Sequence, residues 1–341
     1  MIGAAGKLDM PRAADIREGI GDEALYRGLR TALAATEKEL LRICGAAGAE
    51  RMRGDLGRIV GAGGKRLRPT LAYLCRRADA ARGEALRAVP LLCMLELMHS
   101  VSLIHDDVVD DAAKRRGVAS VNASSGARAA VQSGDFLLAK AMEKLECYRG
   151  TGVNEMLAAV SAEMCRGELL QQRVRHDADA QSEAFYYAQI RSKTANFLSA
   201  SCRAGALVGG LSEEAANRLG LFGDRFGLAF QILDDVLDFK AEEAFGRPSG
   251  QDIRNGVFTL PALLCGDDAV RHLLPKRNKT RREIRSIVAR VRRTGALERA
   301  ADRVALHCEE ACAALAPLRD GPAKRALARL AEALAERARE A

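Results

Sequence analysis

Proline is absent from this 341-residue chain between Pro90 and Pro248. Proline removes a backbone donor and breaks helices from within, so a long proline-free stretch leaves helix available throughout. Ala, Leu, Arg and Glu dominate the same stretch, and its β-branched clusters are short. That is a helix-forming composition, with no strand-turn-strand alternation. Ser212-Glu213-Glu214 reads as a helix start, a capping serine followed by early acids. Leu327, Leu330 and Leu334 share one face of a final amphipathic helix. The expected fold is all-α, a large single-domain helical bundle. Loops are expected at Gly61–Gly64, Arg115–Gly126, Phe245–Gly256 and around Pro275–Thr280. Residues 1–20 read as a loose terminal arm and 21–341 as one domain, since nothing marks an internal linker or a repeat.

The net charge of +8 admits nucleic acid, an anionic surface or anionic small substrates as partners. Aromatic residues are only 4% and Trp is absent, which argues against base-stacking platforms and so against nucleic acid. The nine cysteines are odd in number and form no CxxC pair, which fits reduced core thiols rather than a disulfide frame or a zinc site. No uninterrupted apolar run approaches the roughly 18 residues of a membrane span, and Met1 to Glu18 lacks an apolar signal core. A cytoplasmic location and no transmembrane segment are expected.

Two acidic clusters carry the strongest chemical signal. Leu103-Ile104-His105-Asp106-Asp107-Val108-Val109-Asp110-Asp111 and Gln231-Ile232-Leu233-Asp234-Asp235-Val236-Leu237-Asp238-Phe239 each place Asp-Asp-x-x-Asp inside an apolar run. Residues four apart on a helix share a face, so Asp106 pairs with Asp110 and Asp234 with Asp238. Like charges at that spacing repel, and no cation adjoins them in sequence. Partly buried, they call for a bound cation, and an oxygen-only donor set suits Mg2+ completed by phosphate oxygens. A single such cluster is ordinarily a solvated acidic face; two of them in apolar surroundings are not.

Basic groups surround these clusters in sequence. Gly63-Gly64-Lys65-Arg66-Leu67-Arg68-Pro69 combines glycines that permit close backbone approach with Lys and Arg suited to phosphate oxygens. Arg115-Arg116-Gly117 follows the first cluster, and Lys193-Thr194 lies between the two. His99 sits two helical turns before Asp106. Together they make two anion sites, one metal-bridged and one bridged by side chains alone.

From Gly61 to Pro261 the combination resembles the polyprenyl synthetase family, the trans-isoprenyl diphosphate synthases. It is most similar to the bacterial long-chain octaprenyl and decaprenyl branch that supplies quinone side chains. Besides the motifs above, Gly134-Asp135-Phe136-Leu137-Leu138, Gly167-Glu168-Leu169-Leu170-Gln171 and Thr259-Leu260-Pro261 match in order. The resemblance implies an isoprenoid-synthase bundle around a central elongation cavity, a homodimer, and Mg2+ as cofactor. It implies Lys65, Arg68, His99 and Arg116 as the isopentenyl diphosphate site. Arg115, Lys193, Thr194 and Gln231 become the allylic diphosphate site. Asp106, Asp110, Asp234 and Asp238 become metal ligands, with Asp107 and Asp235 in support and Lys193 catalytic. After the second cluster the family pattern Gly-Lys-Pro reads Gly246-Arg247-Pro248 and keeps its charge. The later Gly-Lys-x-Thr reads Gly256-Val257-Phe258-Thr259 and loses it.

The chemistry so implied is ionisation of an allylic diphosphate in a dry apolar cavity, attack by the isopentenyl double bond, and loss of a proton, with no nucleophilic side chain. Val101 and Ser102, small or medium, and beyond them Met98, Leu97 and Met94, would let the product tail pass along the first aspartate helix. Met94 lies about 18 Å from Asp106 at 1.5 Å per residue. That favours a long-chain product, to which transient membrane contact would be natural. The competing readings are a farnesyl or geranylgeranyl synthase, a terpene cyclase of the same architecture, and a non-catalytic subunit of a heteromeric synthase. Cyclases lack the paired aspartate motifs, and silent subunits typically lose aspartates that this chain keeps.

Overall fold

The structure, a computed structural model, describes residues 21–79, 87–245 and 249–341. The expected terminal arm and the Gly246-Arg247-Pro248 run lie outside the described residues. The described residues are helical almost throughout. Helices α1 (Glu23–Gly45), α2 (Glu50–Gly61), α3 (Leu67–Cys75) and α4 (Ala88–Val109) precede a small hairpin, β1 (Lys114–Arg115) and β2 (Val118–Ala119). Then come α5 (Val121–Ser125), α6 (Ala127–Leu145), α7 (Val153–Arg173), α8 (Glu183–Ile190), a π-helical turn (Arg191–Ala195) and α9 (Asn196–Val208). The long α10 (Glu213–Phe245) is followed by α11 (Gln251–Arg254), α12 (Leu260–Leu264), α13 (Asp268–Leu273), α14 (Arg281–Arg293), α15 (Ala296–Leu315) and α16 (Pro322–Glu340).

Local chemistry explains several boundaries. Leu25 N–H donates to Asp22 Oδ1 at 2.7 Å and starts α1. The Ser212 hydroxyl accepts from Ala215 N–H at 3.2 Å at the head of α10, where the sequence places a start. Thr280 and Glu283 form a reciprocal capping box on α14. The hairpin and α5 occupy what the sequence presents as a loop over Arg115–Gly126, and α11 falls in the expected Phe245–Gly256 loop. Arg116 and Gly117 both have positive φ, 49° and 83°, the backbone of a tight two-residue hairpin turn. Strands of two residues carry too little alternation to be seen in sequence.

Two apolar cores are wrapped around two helices. In α4 the consecutive residues Leu91 to Leu97 are all buried, so this helix is enclosed on every side. It is long and apolar enough to cross a bilayer, with a mean hydropathy of 1.5, yet 67% of that window is buried inside the protein. It packs along α6, α1 and α3, while α10 packs along α15 and α9. Helix α9 joins the cores with opposite faces. Leu198, Cys202 and Ala206, spaced by four, enter the α10 core; Phe197, Ala200, Ala204 and Val208 enter the α4 core. All nine cysteines are free thiols; six are buried, while Cys147 and Cys165 are exposed. Leu327, Leu330 and Leu334 are buried on one face of α16, as their spacing requires.

Candidate active site

The first aspartate cluster sits at the C-terminal end of α4, where the helix dipole already disfavours negative charge. Asp106 and Asp107 are buried there and Asp110 is the C-cap. Two cations answer this charge, one from just beyond the cluster in sequence and one from a distant segment. Arg115, on β1, donates Nε to Asp107 at 2.9 Å, and Arg175 donates Nη2 to Asp110 at 2.7 Å. Burial still holds the Asp107 carboxyl above the usual carboxylate range, against the pull of Arg115.

The second cluster lies within α10, and Asp234, Asp235 and Asp238 are all buried. Tyr186, on α8, donates its hydroxyl to Asp235 Oδ2 at 2.7 Å. Gln231, one turn earlier, donates Nε2 to Asp235 Oδ1 at 3.0 Å, and its Oε1 accepts from the Thr194 hydroxyl at 2.9 Å. Burial and the adjacent carboxylate raise the Tyr186 phenol well above its ordinary value, which keeps it a donor. Among the described residues no three His, Cys, Asp or Glu side chains form a ready-made metal cage. The donor set is nonetheless five buried carboxylates in two pairs of turns, which fits a hard cation that takes its remaining oxygens from a second ligand.

Two clefts adjoin these clusters. One, of about 620 Å3, is lined by Lys65, Arg68, His99 and Arg116 together with Arg66, Glu96, Gln231 and Asp234. The four residues that sequence resemblance assigns to one diphosphate are therefore brought together. The Arg68 guanidinium lies 4.9 Å from the Phe197 ring centroid. Burial pulls its pKa to about 10, and its Nε has no hydrogen-bond partner. Burial, reinforced by surrounding arginines, holds His99 well below its ordinary value, so the ring is neutral at pH 7 with Nδ1 unpartnered. Arg116 donates to the Gly63 carbonyl. A Cβ at Gly64 would lie 2.9 Å from Arg116 Nη1, so glycine is needed for the guanidinium to lie over the turn.

The other cleft, of about 600 Å3, is lined by Lys193, Thr194, Gln231 and Asp235, with Gln171, Tyr186, Asp252, Val257 and Thr259. Thr194 and Gln231 line both clefts, so the two share a wall. The π-helical turn between α8 and α9 presents Lys193 and Thr194 to it, a local widening of the kind often found at functional sites. Lys193 pairs with Glu168 and donates to Gln171 Oε1 at 3.3 Å. The Gln171 amide and the Thr259 hydroxyl have buried atoms without partners. Val257 occupies the wall of this cleft, held by the loop that Gln181 ties down through Gly256 O at 2.9 Å and Phe258 N–H at 2.8 Å.

Arg115 departs from expectation. Resemblance groups it with Lys193, Thr194 and Gln231, but it lines neither cleft and lies on Asp107 instead. Of the expected chain-length residues, Met94, Leu97 and Val101 are buried in the α4 core. Met98 packs against that core, and Ser102 donates its hydroxyl to His99 O at 2.9 Å. None of them lines either cleft. Sequence reasoning gave no role to Tyr186, Arg175, Glu168 or Glu96. Glu96 carried a usable signal, a single acid inside an apolar run three residues before His99; Tyr186 and Arg175 carried none.

The polyprenyl synthetase family model matches residues 50–291. Heptaprenyl diphosphate synthase component 2 of Geobacillus stearothermophilus is 37% identical over 287 residues, 81% of this chain and 87% of that protein. Octaprenyl diphosphate synthase of Escherichia coli is 33% identical over 292 residues, 82% of this chain and 88% of that one. Names among relatives of similar identity extend down to geranylgeranyl diphosphate synthase. The crystal structure of a polyprenyl synthase from Caulobacter crescentus, complexed with calcium and isoprenyl diphosphate, superposes with a TM-score of 0.84. It is 31% identical, with 91% of this chain and 96% of that one covered.

Proposed function

The chain belongs to the polyprenyl synthetase family, whose matched members are prenyltransferases, and on that premise we propose that it condenses isopentenyl diphosphate with an allylic diphosphate, with Mg2+, to a long-chain trans-polyprenyl diphosphate. One observation carries the reading. The cleft that gathers Lys65, Arg68, His99 and Arg116 shares Thr194 and Gln231 with the cleft that holds Lys193 and Asp235. Two diphosphates bound in the two clefts would lie against one wall.

Lys65, Arg68 and Arg116 bind the isopentenyl diphosphate as cations, and neutral His99 adds a hydrogen bond without adding charge. Lys193, Thr194 and Gln231 hold the allylic diphosphate. Asp106, Asp110, Asp234 and Asp238 would hold Mg2+, which when bound would supply positive charge against a leaving pyrophosphate. Tyr186 keeps Asp235 oriented, and Leu198, Phe230 and Ile190 exclude water from the walls between which the carbocation forms. The proton lost after carbon–carbon bond formation passes to the pyrophosphate released on ionisation, a base already beside the new carbocation.

The decisive experiment is chromatography of the dephosphorylated products of the purified chain, supplied with isopentenyl diphosphate, several allylic starters and Mg2+. Polyprenyl products beyond geranylgeranyl are expected, and chelation should abolish them. No condensation under any starter would overturn the reading; arrest at farnesyl or geranylgeranyl would overturn its long-chain part.

The name of the Geobacillus relative, a component 2, favours a second arrangement in which the chain works with another component. A homodimer remains the primary reading, and the exposed Val131 and Met142 on α6 with Leu169 and Leu170 on α7 are available apolar surface for either. Sedimentation of the active purified chain distinguishes them.

A further inference from the structure

A carboxylate in an anion-binding cleft works against its ligand, since like charges in a partly desolvated space repel strongly. Glu96 nevertheless lies in the cleft with Lys65, Arg68, His99 and Arg116, and only 3% of it is exposed. Its partner is Arg66, also buried, which donates Nη1 to Glu96 Oε2 at 2.7 Å. The same guanidinium donates Nη2 to Val60 O at 3.3 Å and reaches Glu37 on α1 at 3.4 Å. Arg66 is thus tied to α4, to the end of α2 and to α1.

The backbone at Arg66 gives this anchor its meaning. Arg66 is the N-cap of α3 and has φ 48° and ψ 35°, the left-handed region that is unfavourable for a residue other than glycine. It makes no side-chain cap bond; its carbonyl accepts the first helical bond, from Thr70 N–H at 2.9 Å, and its side chain is held by Glu96, Glu37 and Val60 O. Lys65 precedes it and Arg68 follows two residues later, and both line the cleft. On α4, Glu96 and His99 are one helical turn apart and face the same cleft. The charge of Glu96 also offsets part of the burial cost of Arg68 and Arg116.

We propose that Glu96 is a positioning residue for isopentenyl diphosphate: through its ion pair with Arg66 it fixes the left-handed turn that aims Lys65 and Arg68 into the cleft. It acts through Arg66 and does not touch the substrate. The inference rests on the assignment of this cleft to isopentenyl diphosphate. It opposes the alternative in which the carboxylate only repels, and the two differ in sign.

The test is steady-state kinetics of Glu96→Gln, Glu96→Asp and Arg66→Lys with each substrate varied in turn, alongside the melting temperature of each variant. Calorimetric titration of isopentenyl diphosphate into wild type and Glu96→Gln accompanies it. Glu96→Gln keeps the shape and removes the charge. It is expected to raise the KM and Kd for isopentenyl diphosphate about tenfold or more, with the allylic KM and kcat changed far less. Glu96→Asp should recover part of the loss. A KM for isopentenyl diphosphate that falls or stays unchanged overturns the proposal. So does an equal rise in both KM values with a lowered melting temperature, the mark of a merely structural role. Should Glu96→Gln fail to fold, Arg66→Lys decides: it keeps the charge, loses the fork, and should raise the same KM selectively, whereas an unchanged KM overturns the proposal. A wild type that performs no condensation sinks the functional reading instead, which separates the two failures.

Discussion

Lys193 is buried in its cleft with its ammonium on Glu168, and this pairing makes the acid stability of the site calculable in sign. Burial alone would raise the Glu168 carboxyl; positive charge, first that of Lys193, and hydrogen bonds from Lys193 and Gln172 outweigh it and bring the pKa from 4.5 down to about 2. A depressed carboxylate stabilises the folded state fully above its unfolded value and loses that contribution as pH falls toward the folded one. The melting-temperature gap between wild type and Glu168→Gln should therefore be widest above pH 4.5 and narrow as pH is lowered toward 2. A gap independent of pH would show that the pair is not the source. Val257 stands on the wall of the same cleft, where resemblance expects a lysine. Val257→Lys should lower the allylic KM, measured at saturating isopentenyl diphosphate; an unchanged KM would mean that the new ammonium does not reach the diphosphate. The residue identities at both clefts were legible because short motifs keep Lys65, Arg68 and Lys193 in recognisable contexts. Their partners were not. Tyr186 reaches Asp235 across 49 positions and Arg175 reaches Asp110 across 65, and no local pattern records such pairings.

Helices were legible in sequence because period and composition agree; what escaped were elements too short to show a period. The hairpin matters most among these. It splits adjacent arginines, sending Arg115 to Asp107 and Arg116 to the Gly63 turn. Resemblance already separates the two arginines, but a reading that treats the segment as loop has no means of finding Asp107 as the partner of Arg115. Closely packed helices also leave a signature at single glycines. Gly205 on α9 meets α3, where an added Cβ would lie 2.2 Å from the Ala72 carbonyl oxygen and 2.8 Å from its Cα. Backbone cannot yield as a side-chain tip does, so Gly205→Ala must push α3 and α9 apart, at about 1–3 kcal/mol by the usual cost of overpacking. Arg68 on α3 lies over Phe197 on α9, so the same change should also raise the KM for isopentenyl diphosphate. Urea denaturation and substrate-varied kinetics check both parts; a variant as stable as wild type would show that the helices shift without strain.

At the scale of the molecule, two clefts with a common wall predict separable kinetics and a common exit for the growing chain. Arg68→Ala should chiefly raise the KM for isopentenyl diphosphate and Lys193→Ala chiefly impair the allylic partner; identical effects on both substrates would dissolve the distinction between clefts. The tail is constrained by α4, which ends in the first aspartate cluster and is enclosed by core along its length. Met94 and Leu97 are fully buried and Val101 nearly so, while Met98 packs at the edge of the same core. A tail running back along this helix therefore has to move side chains as it lengthens. Methionines, unbranched and with three rotatable bonds, yield most readily. Val101 lies five residues before Asp106, about 7.5 Å along the axis at 1.5 Å per residue, near the length of the first isoprene units beyond the diphosphate. A ring at that position blocks the route where a β-branched aliphatic does not, so Val101→Phe should shift the main product to a shorter chain while leaving the first condensation intact. Chromatography of the dephosphorylated products reads this directly. An unshifted distribution would place the tail elsewhere in the bundle, and loss of the first condensation as well would mean that the added ring reaches the metal end of α4 rather than the route of the tail.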